Sequence, residues 1–144
     1  MSDTRDGMGI GAAAVELPGP EARMALLVMP HQTNHLGTLF GGVALGLMDQ
    51  AAFVAASRLS RKTVVTVSLD RIDFGVPVRA GELVEAIAHV AAIGRTSLTV
   101  DVELCAEDLL TGNRRRATGG WFVFVAVDEA GRPTPAVVKG APEP

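Results

Sequence analysis

The hydrophobic pattern of the chain contains one stretch, residues 43–59, that is apolar on nearly every helical face. A helix that is apolar all round is either buried or membrane-spanning. One glutamine, one serine and one arginine interrupt this stretch, which makes it too short and too polar to span a bilayer. Asp49 lies in its middle, and a carboxylate in apolar surroundings costs free energy unless it is paired or functional. The pattern predicts a buried central helix from Gly42 to about Ser60 that carries a functional acid.

Five shorter segments have the length and composition of β-strands. They are residues 23–29, 63–74, 83–93, 98–104 and 121–127. Residues 30–40 are expected to form a loop, and residues 109–116 a polar turn. Because strands joined by short turns are antiparallel, we expect one antiparallel sheet with one buried helix, which is an α+β fold. A single helix cannot cover five strands, so we expect self-association to bury the remainder.

The segment 63–74 alternates between apolar and polar residues. Val65, Val67 and Leu69 alternate there with Thr66, Ser68 and Asp70. Successive side chains of a strand point to opposite faces of the sheet. The pattern therefore predicts that the three polar side chains share one face.

The length of 144 residues fits a single domain, and a hydrophobic content of 48% is enough for a core. Residues 1–22 are rich in Gly, Ala and Asp without a period, so they are expected to be a flexible N-terminal segment. Residues 23–136 are expected to form the domain. Residues 137–144, which contain proline, are expected to be an irregular tail.

Charge and cysteine content exclude several classes of function. A net charge of −3 gives no reason to expect nucleic acid or an anionic membrane as a partner. The one cysteine, Cys105, excludes an internal disulfide and a cysteine-based zinc site. No basic-then-apolar N-terminal signal is visible, so a cytoplasmic location is the default expectation.

Several short motifs occur in a fixed order along most of the chain. The first is Asn34-x-x-Gly37-x-x-Phe40-Gly41-Gly42, which is followed by Met48-Asp49. The later ones are Val65-Thr66-Val67-Ser68-Leu69-Asp70, Gly81-Glu82, Gly94-Arg95-Thr96-Ser97 and Phe124-Val125-Ala126-Val127-Asp128. With these motifs the chain resembles the hotdog-fold acyl-CoA thioesterases of the acyl-CoA hydrolase branch. The related phenylacetyl-CoA thioesterase type shares the Asn, Gly and Asp spacing but usually has His at the position of Phe40.

The resemblance implies a five-stranded antiparallel sheet wrapped around one long central helix. It also implies that subunits pair edge to edge and that active sites lie at the subunit boundary. The expected substrate is an acyl-CoA thioester, which is hydrolysed to the free acid and CoA without a metal or organic cofactor. The smallest expected assembly is a homodimer, and dimers of this fold often pair further, so a tetramer or hexamer is expected.

Three residues are the candidates for catalysis. The N–H of Gly41, at the start of the helix, can stabilise an oxyanion because unpaired amides and the helix dipole favour negative charge there. The side-chain amide of Asn34 can donate to a carbonyl or orient water, and Asp49 is the candidate general base or nucleophile. Gly41 and Asp49 are eight positions apart, which is ~12 Å along a helix. We therefore expect Asp49 of one subunit to act with Gly41 and Asn34 of its partner.

Further residues are candidates for substrate contact. They are Phe40, Gly42, Thr66, Ser68, Arg95, Thr96 and Ser97. The resemblance implies that the turn 95–97 contacts the pantetheine or nucleotide part of CoA. Arg58, Arg61 and Lys62 are a second basic group that could bind phosphates. Arg114, Arg115 and Arg116 form a third, which is either a solvated turn or a phosphate site.

Two other functions are compatible with the sequence. A hotdog protein can also bind acyl-CoA or lipid without catalysis, because a fold does not determine a function. A hotdog dehydratase acting on hydroxyacyl thioesters is the third possibility. Such enzymes typically use a His with a carboxylate, and His35 is poorly placed for that pairing.

Overall fold

The computed structural model describes residues 21–137. Its regular elements are β1 (Ala22–Leu27), a short 3₁₀ helix (Pro30–Gln32), α1 (Gly41–Ser60), β2 (Thr63–Asp73), β3 (Leu83–Ile93), β4 (Ser97–Glu107) and β5 (Arg114–Val127). The N-terminal segment and C-terminal tail that the sequence analysis describes lie almost entirely outside this range. β1 begins one residue before the predicted start of the domain.

The five strands form one antiparallel sheet in the order β1-β3-β4-β5-β2. α1 packs against one face of this sheet and contacts every strand. Alternate residues of β3 and β4 are fully buried beneath the helix, as their period of two predicts. The predicted α+β fold, in which a five-stranded sheet wraps around one long helix, is confirmed.

The helix is buried on one side and partly open on the other. Its buried face consists mainly of small residues, which let the helix lie close to the sheet: Ala44, Met48, Ala51, Ala52, Ala55, Ala56, Leu59 and Ser60. On the opposite face Phe53 is 46% exposed and Asp49 is half-buried. The prediction of a helix buried all round is therefore wrong for a single chain, because the curved sheet covers only one side of it.

The connection between β2 and β3 crosses the molecule and does not form a hairpin. β2 is an edge strand that pairs with β5, whereas β3 pairs with β1 and β4. The intervening loop passes over the N-terminus of α1, where the N–H of Leu39 donates to the carbonyl of Val78 at 2.7 Å. The expectation that the consecutive strands are joined as hairpins fails at this point, because the loop is long enough to cross the helix end.

A bulge in β2 changes the direction of its side chains. The register with β5 shifts between Thr66, which lies opposite the buried Phe124, and Ser68, which lies opposite Val123 on the outer face. The extra residue reverses the alternation beyond it. The prediction that Thr66, Ser68 and Asp70 share one face is therefore wrong, and only Thr66 faces the helix.

A second bulge, between residues 70 and 73, turns the end of β2 toward the N-terminus of the helix. Arg71 has a positive φ of 58° there, and its guanidinium lies 5.0 Å from the ring centroid of Trp121. The side chain of Ile72 fills the space above Gly120, where a Cβ would clash with it. The end of β2, from which the crossing loop starts, is thus held against β5.

The last strand begins earlier than its hydrophobic pattern indicates. β5 starts at Arg114, so part of the predicted polar turn over residues 109–116 is strand. The three arginines lie beside acidic residues of other strands, which a local pattern does not reveal. No helix within residues 21–137 is long and apolar enough to cross a membrane.

Candidate active site

The carboxylate of Asp49 is held by the edge strand. The hydroxyl of Thr66 donates a hydrogen bond of 2.8 Å to Oδ1 of Asp49. Thr66 reaches the helix because it precedes the first bulge of β2 and faces inward. Both residues line an open depression of about 320 Å³ whose other walls are mainly apolar. The acid therefore has one fixed oxygen and one oxygen that is available to a ligand.

The loop before the helix is built around the side chain of Asn34. Its Oδ1 accepts hydrogen bonds from the N–H of Leu36 at 2.9 Å and from both the N–H and the hydroxyl of Thr38 at 3.1 Å. Backbone N–H groups can only donate, so they determine which side-chain atom is the oxygen. The Nδ2 amide makes no hydrogen bond within residues 21–137. Asn34 therefore presents a free donor.

The first turn of α1 presents two further free donors. Phe40 is the N-cap residue, and its carbonyl accepts from the N–H groups of Val43 and Ala44, both at 3.1 Å. In the part of the chain that the structure describes, the N–H groups of Gly41 and Gly42 have no hydrogen-bond partner. Such amides at the positive end of the helix dipole suit a developing oxyanion.

A cavity of about 240 Å³ adjoins Gly41. The ring of Phe74, from the crossing loop, lies 3.5 Å from the position that a Cβ of Gly41 would occupy. Val76 and Val78 of the same loop line the cavity, and Leu104 belongs to its inner wall. A ligand atom that contacts the Gly41 amide therefore lies beside an apolar pocket of the same chain.

Gly41 and Asp49 do not form one site within a chain. α1 is continuous between them, so their backbone positions are separated by ~12 Å along the helix axis. Gly41 lines the cavity beneath Phe74, and Asp49 lines the depression beside Thr66. A single thioester cannot contact both, because reacting atoms must approach within ~3–3.5 Å.

Of the remaining residues predicted to contact substrate, some lie near the candidate site and one lies away from it. Phe40 is 48% exposed beside the helix N-terminus, and Gly42 is exposed with no neighbouring atom near its Cβ position. Ser68 lies on the outer face of the sheet, away from the Asp49 depression, because of the bulge in β2. Its predicted alignment with Thr66 is wrong.

The turn between β3 and β4 lies at the end of the sheet that holds the C-terminus of α1. The carbonyl of Thr96 accepts from the N–H of Ala126 at 2.9 Å, and Ser97 begins β4 opposite Val125. The exposed side chain of Arg95 makes no hydrogen bond or ion pair within residues 21–137. The turn is remote from the Gly41 of its own chain.

In the basic group of Arg58, Arg61 and Lys62, two side chains are hydrogen-bonded to backbone carbonyls. Arg58 donates to the carbonyl of Glu21 at 2.8 Å, and Lys62 donates to the carbonyl of Pro135 at 2.7 Å. Arg61 ends the helix in a left-handed conformation, with φ of 57°. In the described chain its side chain, like that of Arg95, has no such contact.

The cluster of three arginines at the start of β5 is paired with acids from three other strands and from the loop before β3. The ion pairs are Arg114 with Glu85 and Glu107, Arg115 with Glu82, and Arg116 with Asp73 and Glu103. The hydrogen bond from Arg115 lowers the pKa of Glu82, and its burial opposes this shift. The predicted turn is wrong for these three residues, because they lie in strand β5, and each of them is already paired with a carboxylate.

Sequence reasoning missed one residue near the candidate site. Thr118 lies on the inner face of β5, is 3% exposed, and lines the Gly41 cavity. Its position before Gly119-Gly120 was not recognised as strand, so it was not assigned to a face. An earlier start of β5 in the sequence analysis would have placed this hydroxyl on the same face as Phe122 and Phe124.

A sheet wrapped around one helix, with free amides at the helix start and a carboxylate further along it, defines a hotdog-fold protein of the thioesterase type. The model of the thioesterase superfamily matches residues 36–112. The chain belongs to this family. A relative from Zymomonas mobilis, named an uncharacterized acyl-CoA thioester hydrolase, is 38% identical over 116 residues, which are 81% of this chain and 78% of the relative.

Solved structures give the same assignment. An apo-hexameric acyl-CoA thioesterase is 40% identical and has a TM-score of 0.77, over 80% of this chain and 74% of that one. An acyl-CoA hydrolase from Staphylococcus aureus, solved with butyryl coenzyme A, coenzyme A and coenzyme A disulfide, is 30% identical with a TM-score of 0.76, over 80% of this chain and 70% of that one. Variants of the latter protein were also solved, in which an Asp, a Thr or an Asn is replaced by Ala.

Proposed function

We propose that this protein hydrolyses acyl-CoA thioesters to a free acid and CoA at a site that two chains share. The observation that carries the proposal is the arrangement along α1: unpaired amides at its start and a carboxylate, bonded to Thr66, eight positions further on. The Staphylococcus hydrolase bound to butyryl coenzyme A supports an acyl-CoA substrate.

The roles of the residues follow from their free atoms. The thioester oxygen accepts from the Gly41 N–H, where negative charge develops during attack. The free Nδ2 of Asn34 donates to the same oxygen or to the attacking water. These two residues come from one chain.

Asp49 of a second chain activates the nucleophile or attacks the carbonyl itself. In the first case, a water oxygen bonds to the carbonyl carbon as its proton passes to Asp49. The carbon–sulfur bond then breaks, and the proton goes to the departing thiolate of CoA. In the second case, an acyl–Asp49 anhydride forms, and water hydrolyses it after the thiolate has left.

The variants of the Staphylococcus hydrolase support this choice of residues. Its replaced Asn and Asp are separated by 15 positions, and its replaced Asp and Thr by 17. Asn34, Asp49 and Thr66 have the same separations in this chain. The same three residue types therefore recur at the same intervals in a protein of the same family.

The edge strand β2 supports association of two chains. Its outer edge has no partner strand within residues 21–137, and it exposes 43% of Val65, 54% of Val67 and 44% of Leu69. A long, exposed apolar edge is a template for pairing with another strand. Pairing along β2 would also cover Phe53 on the open face of α1. We propose a homodimer as the minimum, assembled further into a tetramer or hexamer, as in the hexameric thioesterase to which this chain is similar.

The CoA phosphates need cationic side chains that are not already engaged in hydrogen bonds or ion pairs within the protein. Arg95, in the turn after β3, and Arg61, after the C-terminus of α1, meet this condition in the described chain, whereas Arg58 and Lys62 are engaged. We therefore assign Arg95, together with Thr96 and Ser97, to contacts with the CoA handle.

The test is thiol release by the purified full-length protein from acyl-CoAs of two to sixteen carbons. We expect hydrolysis by the wild-type protein and a fall in kcat of about 10²–10⁴-fold in Asp49→Asn. Asp70→Asn, on the outer face of β2, is the matched control. Binding of acyl-CoA without thiol release would instead favour a non-catalytic binding protein. A folded Asp49→Asn protein with unchanged kcat would exclude the proposed role of Asp49.

A further inference from the structure

The cavity beside Gly41 ends in the core of the chain. Gly41 and Phe74 lie at its mouth, and its inner wall includes Leu104, which is fully buried, and Thr118, which is 3% exposed. Ala44, also 3% exposed, closes it on the helix side. The cavity is therefore closed at its inner end. CoA must continue from the thioester to solvent, so the acyl chain is the part of an acyl-CoA that fits here.

The hydroxyl of Thr118 has no protein partner in this cavity. No donor or acceptor within residues 21–137 forms a hydrogen bond with it. Its neighbour across the sheet is Leu104, and the wall around it is mainly apolar. This hydroxyl lines the cavity, and a ligand that covered it without pairing with it would leave it unsatisfied, which is unfavourable. A hydroxyl can both donate and accept, so an alcohol or a carbonyl oxygen of a ligand would satisfy it.

The cavity is held in shape by contacts of its crossing loop. Arg115 binds both carboxylate oxygens of Glu82, at 2.7 and 3.0 Å, and also donates to the carbonyl of Pro77 at 2.9 Å. A second contact ties Val78 to Leu39. The loop is thus fixed both to β5 and to the segment before α1. A fixed loop makes the pocket pre-formed, which favours discrimination among acyl chains.

We propose that this cavity holds the acyl chain and that Thr118 selects short chains carrying a hydroxyl or oxo oxygen. The proposal rests on the proposed thioesterase function and names its substrate class. A dry cavity of about 150 Å³ holds one benzene ring, so the volume of about 240 Å³ accommodates a chain of roughly six to eight carbons. An unsubstituted chain of that length leaves the Thr118 hydroxyl without a partner, whereas an oxygenated chain supplies one.

The experiment compares kcat/KM for hexanoyl-CoA, its 3-hydroxy and 5-hydroxy derivatives, and decanoyl-CoA. We expect the wild-type protein to prefer at least one hydroxylated chain over hexanoyl-CoA by about fivefold to tenfold, which is typical of one neutral hydrogen bond. Valine has nearly the same shape as threonine but no hydroxyl, so Thr118→Val should lose the preference for the hydroxylated chain. Thr118→Ser keeps the hydroxyl and should retain that preference. Thr99→Val, on the outer face of β4, is the matched control and should keep the wild-type ratio.

A second variant tests the cavity independently of Thr118. Ala44→Val narrows the pocket from the helix side, so kcat/KM for hexanoyl-CoA should fall more than that for acetyl-CoA. Thiol release without a hydroxyl preference in the wild-type protein, or an unchanged ratio in Thr118→Val, would overturn the inference while leaving the thioesterase function intact. Absence of thiol release from every acyl-CoA would instead overturn the proposed function.

Discussion

Thr66 Oγ1 lies 2.8 Å from Oδ1 of Asp49 and joins the edge strand β2 to the middle of α1. This bond crosses the boundary between the sheet and the open face of the helix. It orients a carboxylate that is otherwise only half-buried. It also makes the candidate acid sensitive to the position of β2, the strand along which we propose that two chains pair.

Loss of this bond should lower the rate more than it lowers substrate affinity. In Thr66→Val the shape is kept but the donor is lost, and a hydrogen bond to a charged group contributes about 1.5–3 kcal/mol. We expect kcat to fall about 10- to 100-fold with little change in KM. Steady-state kinetics with one acyl-CoA would measure both kcat and KM. Thr66→Ser keeps the donor and should retain most of the activity. A Thr66→Val protein with wild-type kcat would contradict a positioning role.

Two substitutions of Asn34 separate its role in the loop from its role in catalysis. Asn34→Asp keeps an oxygen that accepts from Leu36 and Thr38 but removes the Nδ2 donor. We expect its free energy of unfolding to stay close to wild type while kcat falls about 10²–10³-fold. Asn34→Ala should lose kcat as well and, in addition, about 1–3 kcal/mol of stability, because two backbone N–H groups lose their acceptor.

Chemical denaturation and steady-state kinetics on the same samples would distinguish these effects. Retention of wild-type kcat by Asn34→Asp would exclude the Nδ2 amide as a catalytic donor.

Mixing of subunits tests whether the site is shared. Gly41→Pro removes the N–H, and proline is tolerated there because Gly41 is the first helical residue and Phe40 is already extended. Gly41→Pro and Asp49→Ala proteins should each be inactive alone. After co-refolding in equal amounts, about a quarter of wild-type activity should return, since half of the dimers are hybrids with one intact site.

Gly41→Ala is the control for Gly41→Pro. It keeps the N–H, and its Cβ meets the Phe74 ring at an ordinary contact distance of 3.5 Å. It should therefore retain activity. If the mixture of the two inactive proteins stays inactive while the hybrids form, Asp49 and Gly41 do not act across two chains.

A charge on the exposed edge of β2 should separate the subunits. Val67 is 54% exposed at the first bulge, and a lysine there would be buried against a second chain. We expect Val67→Lys to shift the mass measured by light scattering toward the monomer and to lose activity with it. Leu110→Lys, at a position that is 96% exposed in the turn before β5, should change neither. An active Val67→Lys monomer would contradict both the interface and the shared site.

The ion pair between Arg115 and Glu82 should make the free energy of unfolding depend on pH in the acidic range. The hydrogen bond from Arg115 lowers the pKa of Glu82 below its usual 4.5 in the folded chain. Its contribution is therefore complete above pH 4.5 and disappears as the pH falls through the lowered folded-state pKa. We expect Glu82→Gln to cost about 1 kcal/mol at pH 7, discounted for the partial exposure of the pair.

Urea denaturation at pH 7 and again below pH 4 would measure that difference. The gap between wild type and Glu82→Gln should narrow at the lower pH. Glu129→Gln, in the exposed turn after β5, should show no gap at either pH. A gap that is equal at both pH values would indicate that Glu82 stabilises the loop through packing and not through its charge.

Local patterns in the sequence were sufficient for the elements of the fold. The all-round apolar stretch predicted α1 to within one residue, and the apolar run over residues 83–93 predicted β3 at its observed bounds. Both depend on the residue types within a single element. The motif containing Asn34 and Gly41 likewise marked the loop and helix start at which the structure has its free donors, because loop and cap chemistry is local.

The sequence did not predict how distant strands meet. A single bulge in β2 separates Ser68 from Thr66, and three arginines that the pattern assigns to a turn are paired with acids on other strands and on the crossing loop. The hydroxyl of Thr118 likewise reaches the Gly41 cavity only through the register of β5.

The sequence by itself determined which segments form the helix and, apart from the start of β5, the strands, and it named the candidate residues for the chemistry, because backbone period and side-chain type are properties of a short segment. The tertiary structure decided which face Thr66 takes, why one chain cannot bring Asp49 to Gly41, and what lines the cavity. Those outcomes depend on register and on contacts between residues far apart in the chain, and no local pattern contains that information.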